Sequence, residues 1–197
     1  MATRLNGKRV AILVTDGFEQ VELTEPKRAL EAEGAFAEIV SPKKEAVRGW
    51  NRRDWGDSFE VDVPLERADA TRYDALLLPG GVMNPDKLRR LPKVQEFVRA
   101  FFAAGKTVAA ICHGPWTLID AGVVAGRRVT SYETLQCDLR NAGADWVDAE
   151  VVVDDGLVTS RKPDDIPVFS RKLVEAIAEG RHAGRRGQLR VEAAKPM

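Results

Sequence analysis

The sequence predicts an α/β protein: a flavodoxin-like three-layer sandwich whose mostly parallel sheet carries helices on both faces, with a small antiparallel hairpin. Three observations predict it. Short, continuous apolar runs rich in β-branched residues recur, as at residues 8–15 (KRVAILVT) and Thr107–Ile111, which is how strands buried on both faces read. These runs alternate with segments of helical period, the pattern of a parallel sheet joined by crossover helices. Asp155-Gly156 separates two further apolar segments, 150–153 and Leu157–Ser160, and Asp-Gly in that position is a strong two-residue hairpin signal.

Taken in order, the first strand leads to a helix that Thr24 would cap, with Pro26 in its first turn and Gly34 as a left-handed stop. Strand Phe36–Ser41 follows. A polar and aromatic excursion over 43–65 alternates polar and apolar residues at Phe59-Glu60-Val61-Asp62-Val63, predicting a short hairpin centred there. Its WNRRDW segment at 50–55 reads as a packed surface loop or a subunit contact. Strand 74–78 runs into Pro79-Gly80-Gly81. Val94, Phe97, Val98 and Phe101 then form one helical stripe ending at Gly105. After strand Thr107–Ile111, the turn Cys112-His113-Gly114-Pro115 opens an apolar segment to Ala121. A strand at 128–131, a helix at 135–141 closed by Gly143, the Asp155-Gly156 hairpin, and a last helix capped by Asp164 or Asp165 complete the pattern. That helix has Pro167 in its first turn and Phe169, Leu173 and Ile177 on one face. Residues 1–180 read as one domain and 181–197, basic and without apolar periodicity, as a flexible tail.

Composition narrows the function. The 197 residues carry 30 Lys+Arg and 30 Asp+Glu, a formal net charge of zero, which removes any global electrostatic case for nucleic acid. No apolar run approaches the roughly 18 residues of a membrane helix, and the first residues lack a signal-peptide core, so a soluble cytoplasmic protein is expected. Two cysteines and two histidines, with no C-x-x-C pair, predict neither a disulfide framework nor a zinc site. Gly80-Gly81-Val82-Met83-Asn84-Pro85 lacks both a P-loop lysine and dinucleotide glycine spacing, which argues against a nucleotide module.

The chemistry concentrates at Val108-Ala109-Ala110-Ile111-Cys112-His113-Gly114. A buried strand ends at a thiol and a helix begins at once, with small residues two positions to either side. This is the spacing of a nucleophile elbow, G-x-S-x-G, with sulfur in place of oxygen. A helix start there would lower the thiol pKa, and a buried structural cysteine is the competing reading. His113 is placed to act as base. Backbone N–H groups at Gly80-Gly81, at the same sheet edge, suit a developing oxyanion. Glu19, in the loop after the first strand, is the candidate acid that would stay protonated beside the thiol and hydrogen-bond it. Cys137, in a helical run, has no such setting.

At these residues the chain resembles the PfpI family, the intracellular protease I and bacterial general stress proteins of the class I glutamine amidotransferase-like superfamily. The resemblance runs over residues 8–179. Its markers are Asp16-Gly17-Phe18-Glu19 with Glu22-Leu23, Leu78-Pro79-Gly80-Gly81, Ala110-Ile111-Cys112-His113-Gly114-Pro115, Thr130-Ser131-Tyr132, and Asn141-Ala142-Gly143 leading to the 151–161 strands. It implies Cys112 as nucleophile, Glu19 at its sulfur, and the Gly81 and His113 amides as the oxyanion site. It implies Gly80 and Tyr132 as substrate-binding positions. It also implies a carboxylate that orients the histidine of a neighbouring subunit, matched here by Asp86 after Pro85 and one methylene shorter than the usual Glu. A homodimer or higher homo-oligomer follows, with no cofactor and no metal. The implied reaction is hydrolysis of reactive carbonyls, glycated adducts or peptides, with oxidation of Cys112 in a stress response as the alternative. Trp116 stands where Gln is common. A glutamine amidotransferase is disfavoured, because no His lies between His113 and His182.

Overall fold

The computed structural model describes residues 3–182. The chain runs β1 (Arg9–Leu13), β2 (Phe18–Glu19), α1 (Gln20–Ala32), β3 (Phe36–Ser41), β4 (Ala46–Asn51), β5 (Asp54–Glu60), β6 (Val63–Pro64), β7 (Ala75–Leu78), α2 (Met83–Arg89) and α3 (Pro92–Ala103). It continues through β8 (Thr107–Ile111), α4 (Pro115–Asp120), β9 (Arg128–Val129), α5 (Gln136–Asn141), β10 (Asp145–Trp146), β11 (Val151–Asp154), β12 (Leu157–Ser160) and α6 (Ile166–Glu179). Seven strands form one sheet in the order β11-β12-β8-β7-β1-β3-β6, parallel throughout except for β11.

Alternation along each central strand divides the core into two layers. From β1, Val10 and Ile12 face one side with Leu23, Leu30, Phe169 and Leu173 of α1 and α6. Ala11 and Leu13 face the other with Val94, Phe97, Phe101 and Leu118 of α3 and α4. Period-2 alternation with both faces covered explains why β1, β7, β8 and β12 read as unbroken apolar runs. The chain leaves β1 toward β3 on one side and reaches β7 on the other, so the carboxyl ends of β1 and β7 flank a topological switch point, where open α/β sheets bind ligands.

The hairpin of β11 and β12 has the expected register, Val151 opposite Ser160 and Asp154 opposite Leu157. Asp155 (φ 47°) and Gly156 (φ 80°) both lie in the left-handed region that this turn requires.

Four expectations are corrected. Helix α1 begins at Gln20, directly after β2, so Thr24 lies inside it and Pro26 sits near its middle. Lacking an N–H, Pro26 leaves the Glu22 carbonyl without its usual helical donor. The excursion hairpin is centred on Arg52-Arg53 between β4 and β5, with Arg52 at φ 58°. The alternating segment around Phe59 is the end of its second strand, and Val63 pairs instead with Val40 at the edge of the main sheet. The strand at 128–131 shortens to Arg128–Val129, which pairs with β10 outside the main sheet. Asp165 occupies the α6 cap position without capping, because both carboxylate oxygens accept from the Arg161 guanidinium at 2.9 and 3.1 Å.

Of the segment read as a tail, residues 183–197 lie outside the described residues. His182 is described and packed: its N–H donates to the Gly105 carbonyl at 2.9 Å, and its Nε2 lies 3.1 Å from Thr107 Oγ1.

Candidate active site

Strand β8 delivers Cys112 to the carboxyl edge of the sheet, where the Cys112 N–H donates to the Ser160 carbonyl at 3.0 Å. The next step is strained. Cys112 has φ 61°, a conformation that costs a non-glycine residue of the order of 1 kcal/mol and is held only where the surroundings over-determine it. Here they do. Gly114 N–H donates back to Ile111 O at 2.9 Å, and a Cβ on Gly114 would lie 2.4 Å from the Leu78 carbonyl oxygen. The elbow expected from small neighbours is therefore present, with Cys112 at its apex.

Cys112 is 7% exposed as a residue, and its thiol sits in a ring of donors and acceptors. The N–H groups of Gly81 and His113 are directed at its sulfur. Gly81, at φ 71°, takes a backbone conformation suited to glycine, and a Cβ there would lie 2.5 Å from the Gly17 carbonyl oxygen. His113 Nδ1 lies 3.2 Å from Sγ. Burial lowers the His113 pKa, so the imidazole is neutral near pH 7 and can accept the thiol proton at Nδ1. Its Nε2 lies 3.3 Å from Thr134 Oγ1, and its ring is stacked on Tyr132 (centroids 4.8 Å apart) with Trp116 edge-on at 5.3 Å. The Trp116 indole is itself fixed by a 2.7 Å bond to Asp138 Oδ2.

The acid at the sulfur is Glu22, not Glu19. Because α1 starts at Gln20, Glu22 falls on the stripe it shares with Leu23, Pro26 and Leu30, and it is fully buried. Its Oε2 accepts the Gly80 N–H at 2.8 Å, its carboxyl lies beside Cys112, and Oε1 has no nitrogen or oxygen partner among the described residues. Burial raises its pKa to about 8, so the carboxyl is largely protonated near neutrality and can donate to sulfur. Glu19 lies outside this ring: its carboxylate faces the β4–β5 turn, 3.4 Å from the Arg52 N–H. An acid among the apolar residues of a helix face was the available signal for Glu22, hidden by placing the helix start at Thr24.

The lowered thiol pKa expected from a helix start is also corrected. Burial first, and then the charge of ionised Glu22, push the Cys112 thiol up, against the pull of the Gly81 and His113 amides. Helix α4 has six residues, too short for its end to offset that burial.

Gly80 does not offer its N–H to a substrate, since Glu22 consumes it. Its role is space: a Cβ would lie 2.7 Å from Cys112 Cβ, 2.7 Å from the Ile111 carbonyl oxygen and 2.8 Å from Glu22 Oε2. Gly80→Ala is expected to destabilise the fold by about 1–3 kcal/mol through overpacking, read as a lower melting temperature, and to reduce activity by displacing the thiol. Tyr132 N–H donates to the Cys112 carbonyl at 2.9 Å, which ties the stacking residue to the elbow. Asp86 is exposed on α2 and makes no hydrogen bond to His113 among the described residues of this chain. Cys137 is exposed on α5, apart from this ring. Among the described residues no cluster of three or more His, Cys, Asp or Glu could hold a metal, and no helix is long and apolar enough to cross a membrane.

The DJ-1/PfpI family model matches residues 8–176. A deglycase of Pyrococcus abyssi is 44% identical over 169 residues, which cover 86% of this chain and 99% of the relative. General stress protein 18 of Bacillus subtilis is 42% identical over 168 residues, 84% of this chain and 95% of the relative. Among solved structures, Drosophila melanogaster DJ-1beta superposes with a TM-score of 0.80 at 28% identity, over 87% of this chain and 90% of that one. With the matched segment spanning β1 to α6 and the elbow, its acid and its imidazole inside it, the chain belongs to the DJ-1/PfpI family.

Proposed function

We propose that the protein is a cysteine-dependent hydrolase of reactive carbonyls and glycated adducts. The observation that carries this reading is the Cys112 thiol at a strained elbow with a neutral imidazole nitrogen 3.2 Å away and two backbone N–H groups converging on it. In the first step Sγ adds to an electrophilic carbonyl carbon. The S–H bond breaks, its proton passes to His113 Nδ1, a C–S bond forms, and the carbonyl π pair moves to oxygen, where the Gly81 and His113 amides offset the new charge. The proton passes from Nδ1 to that oxygen, leaving a hemithioacetal. With methylglyoxal the C1 proton then moves to C2 to give a thioester. Water adds to the thioester carbonyl, the C–S bond breaks, the thiol recovers its proton and lactate leaves. Protonated Glu22 keeps a second negative charge away from sulfur while this happens.

The deglycase name of the Pyrococcus abyssi relative and the burial of Cys112, 7% exposed and so open to small electrophiles only, both favour carbonyl compounds over folded polypeptides. Rates with methylglyoxal, a glycated peptide and a fluorogenic peptide test the assignment. The first two are expected to exceed the third, and peptide hydrolysis as the sole activity would overturn the substrate class. By the same resemblance the site is completed in a homo-oligomer. A second reading, oxidation of Cys112 as a stress response, is favoured by Glu22, whose neutral carboxyl can donate to a sulfinate oxygen. Intact mass after mild peroxide tests it: stoichiometric oxidation at Cys112 with negligible carbonyl turnover favours sensing, and oxidation confined to Cys137 excludes it.

A further inference from the structure

We propose that the protein carries a second site, at the amino ends of the parallel strands and on the edge of the sheet opposite Cys112, which binds a phosphoryl dianion, free or esterified to a small molecule. It is independent of the reading of Cys112 as a nucleophile.

A recess of about 390 Å³ lies there, walled in part by Lys8, Arg9, Arg72, Asp74, Lys106 and Arg181. That size falls at the lower end of the roughly 300–1,000 Å³ of small-molecule sites. Lys8 and Arg9 lead into β1, Asp74 precedes β7 and Lys106 precedes β8, so the topology that gathers Gly80, Gly81 and Cys112 at one edge gathers these charges at the other. Five cationic side chains face one carboxylate, on a chain whose formal charge is zero.

The acids nearby are already engaged. Asp74 Oδ1 accepts from the Lys8 ammonium at 3.1 Å and Oδ2 from the Arg9 N–H at 2.9 Å, while Glu38 accepts from the Arg9 guanidinium at 2.5 Å. Lys106 donates to the carbonyls of Ala70, Thr71 and Tyr73 at 2.8, 3.3 and 2.5 Å. Those bonds use all three ammonium hydrogens, so Lys106 supplies charge to the recess and no free donor. Burial lowers its pKa and Arg181 adds to this, against the pull of Asp74 and Asp69; an anion in the recess would offset both.

The free donors are Arg72 and Arg181, both exposed and without a hydrogen bond or ion pair among the described residues. Two guanidinium forks and the remaining Lys8 hydrogens match the three oxygens and double charge of a phosphoryl group better than the two oxygens and single charge of a carboxylate. Arg181 is held at the rim by its neighbours. Gly180, at φ 90°, turns the chain out of α6, and His182 is anchored to Gly105 O and Thr107 Oγ1 with its ring where a Cβ on Gly156 would lie, 2.5 Å from Cδ2.

Titration calorimetry at fixed ionic strength, on the protein as it assembles in solution, tests the site with inorganic phosphate, glucose 6-phosphate and glucose. Both phosphates are expected to bind and glucose is not. Equal affinity for the two assigns the free dianion, and tighter binding of the ester assigns a phosphorylated molecule. Arg72→Gln and Arg181→Gln are each expected to weaken phosphate binding at least about tenfold, with the melting temperature and the alkylation rate of Cys112 unchanged. Absence of phosphate binding overturns the proposal, as it would if a second copy closed the recess. Binding undiminished in both variants also overturns it, by placing the anion elsewhere. A single-stranded oligonucleotide that binds more tightly than the ester, and is lost in the same variants, overturns the small-molecule assignment in favour of a polymer.

Discussion

Cys112→Ser is expected to lower kcat/KM for methylglyoxal by at least about a thousandfold while leaving the melting temperature close to that of the native protein. The two outcomes separate because the elbow does not depend on sulfur. Its φ of 61° is imposed by the Gly114 turn and by the bonds to Ser160 and Tyr132, all of which are main-chain. A serine hydroxyl fits the same space, but it is a far weaker nucleophile toward a neutral His113 base, and burial raises the cost of its anion as it does that of the thiol. Steady-state rates beside a calorimetric melt check the pair. Undiminished turnover in the serine variant would remove Cys112 from the chemistry, and collapse of the fold would show that the thiol is structural.

Glu22→Gln is expected to flatten the pH dependence of stability between pH 5 and 9. The native carboxyl has a folded pKa raised from 4.5 to about 8. A raised acid contributes its full stability below the unfolded value and loses it as pH climbs through the folded one. Across that window the unfolded chain ionises while the folded chain resists, a difference of the order of 5 kcal/mol. The glutamine amide has the same shape, can still accept the Gly80 N–H, and can present its NH2 toward sulfur, so it mimics the protonated acid at every pH. Denaturation at pH 6 and pH 9 measures the effect: the native protein should lose stability between them and the variant should not. Glu22→Ala, which strands the Gly80 N–H and leaves a cavity against Leu23 and Cys112, is expected to destabilise by about 2–3 kcal/mol at pH 6.

How much of this was legible beforehand followed the range of the interactions. Strands covered on both faces announce themselves as apolar runs, and β1, β8 and β12 were readable for that reason. The elbow was readable because its steric demand acts on immediate neighbours, Ala110 and Gly114. The Asp155-Gly156 hairpin was readable because its φ values select those residue types. Elsewhere the decisive contacts are remote in sequence. The β4–β5 turn uses Arg52 at φ 58°, a residue type that does not advertise a left-handed conformation. One misplaced boundary concealed the acid: with α1 begun at Thr24, Glu22 falls in a loop, and Glu19 becomes the nearest candidate. With α1 begun at Gln20, Glu22 belongs to the buried stripe. Thr134 left no local trace, since its partner is 21 residues away. The raised thiol pKa leaves no such mark, because a helix end can be seen in sequence whereas the depth of burial that outweighs it cannot.

Cys112 is expected to react as a thiol paired with a neutral imidazole and guarded by a protonated carboxyl, and the rate of its alkylation by iodoacetamide between pH 5 and 10 tests this most directly. A bell is expected. Its acid limb should lie below the usual histidine value of 6.5, where His113 loses its proton and becomes able to accept one, and its alkaline limb should lie near 8, where ionised Glu22 opposes charge on sulfur. The alkaline limb should vanish in Glu22→Gln. A rate that instead climbs steadily through pH 9, in both the native protein and that variant, is the behaviour of an isolated cysteine and would contradict the account.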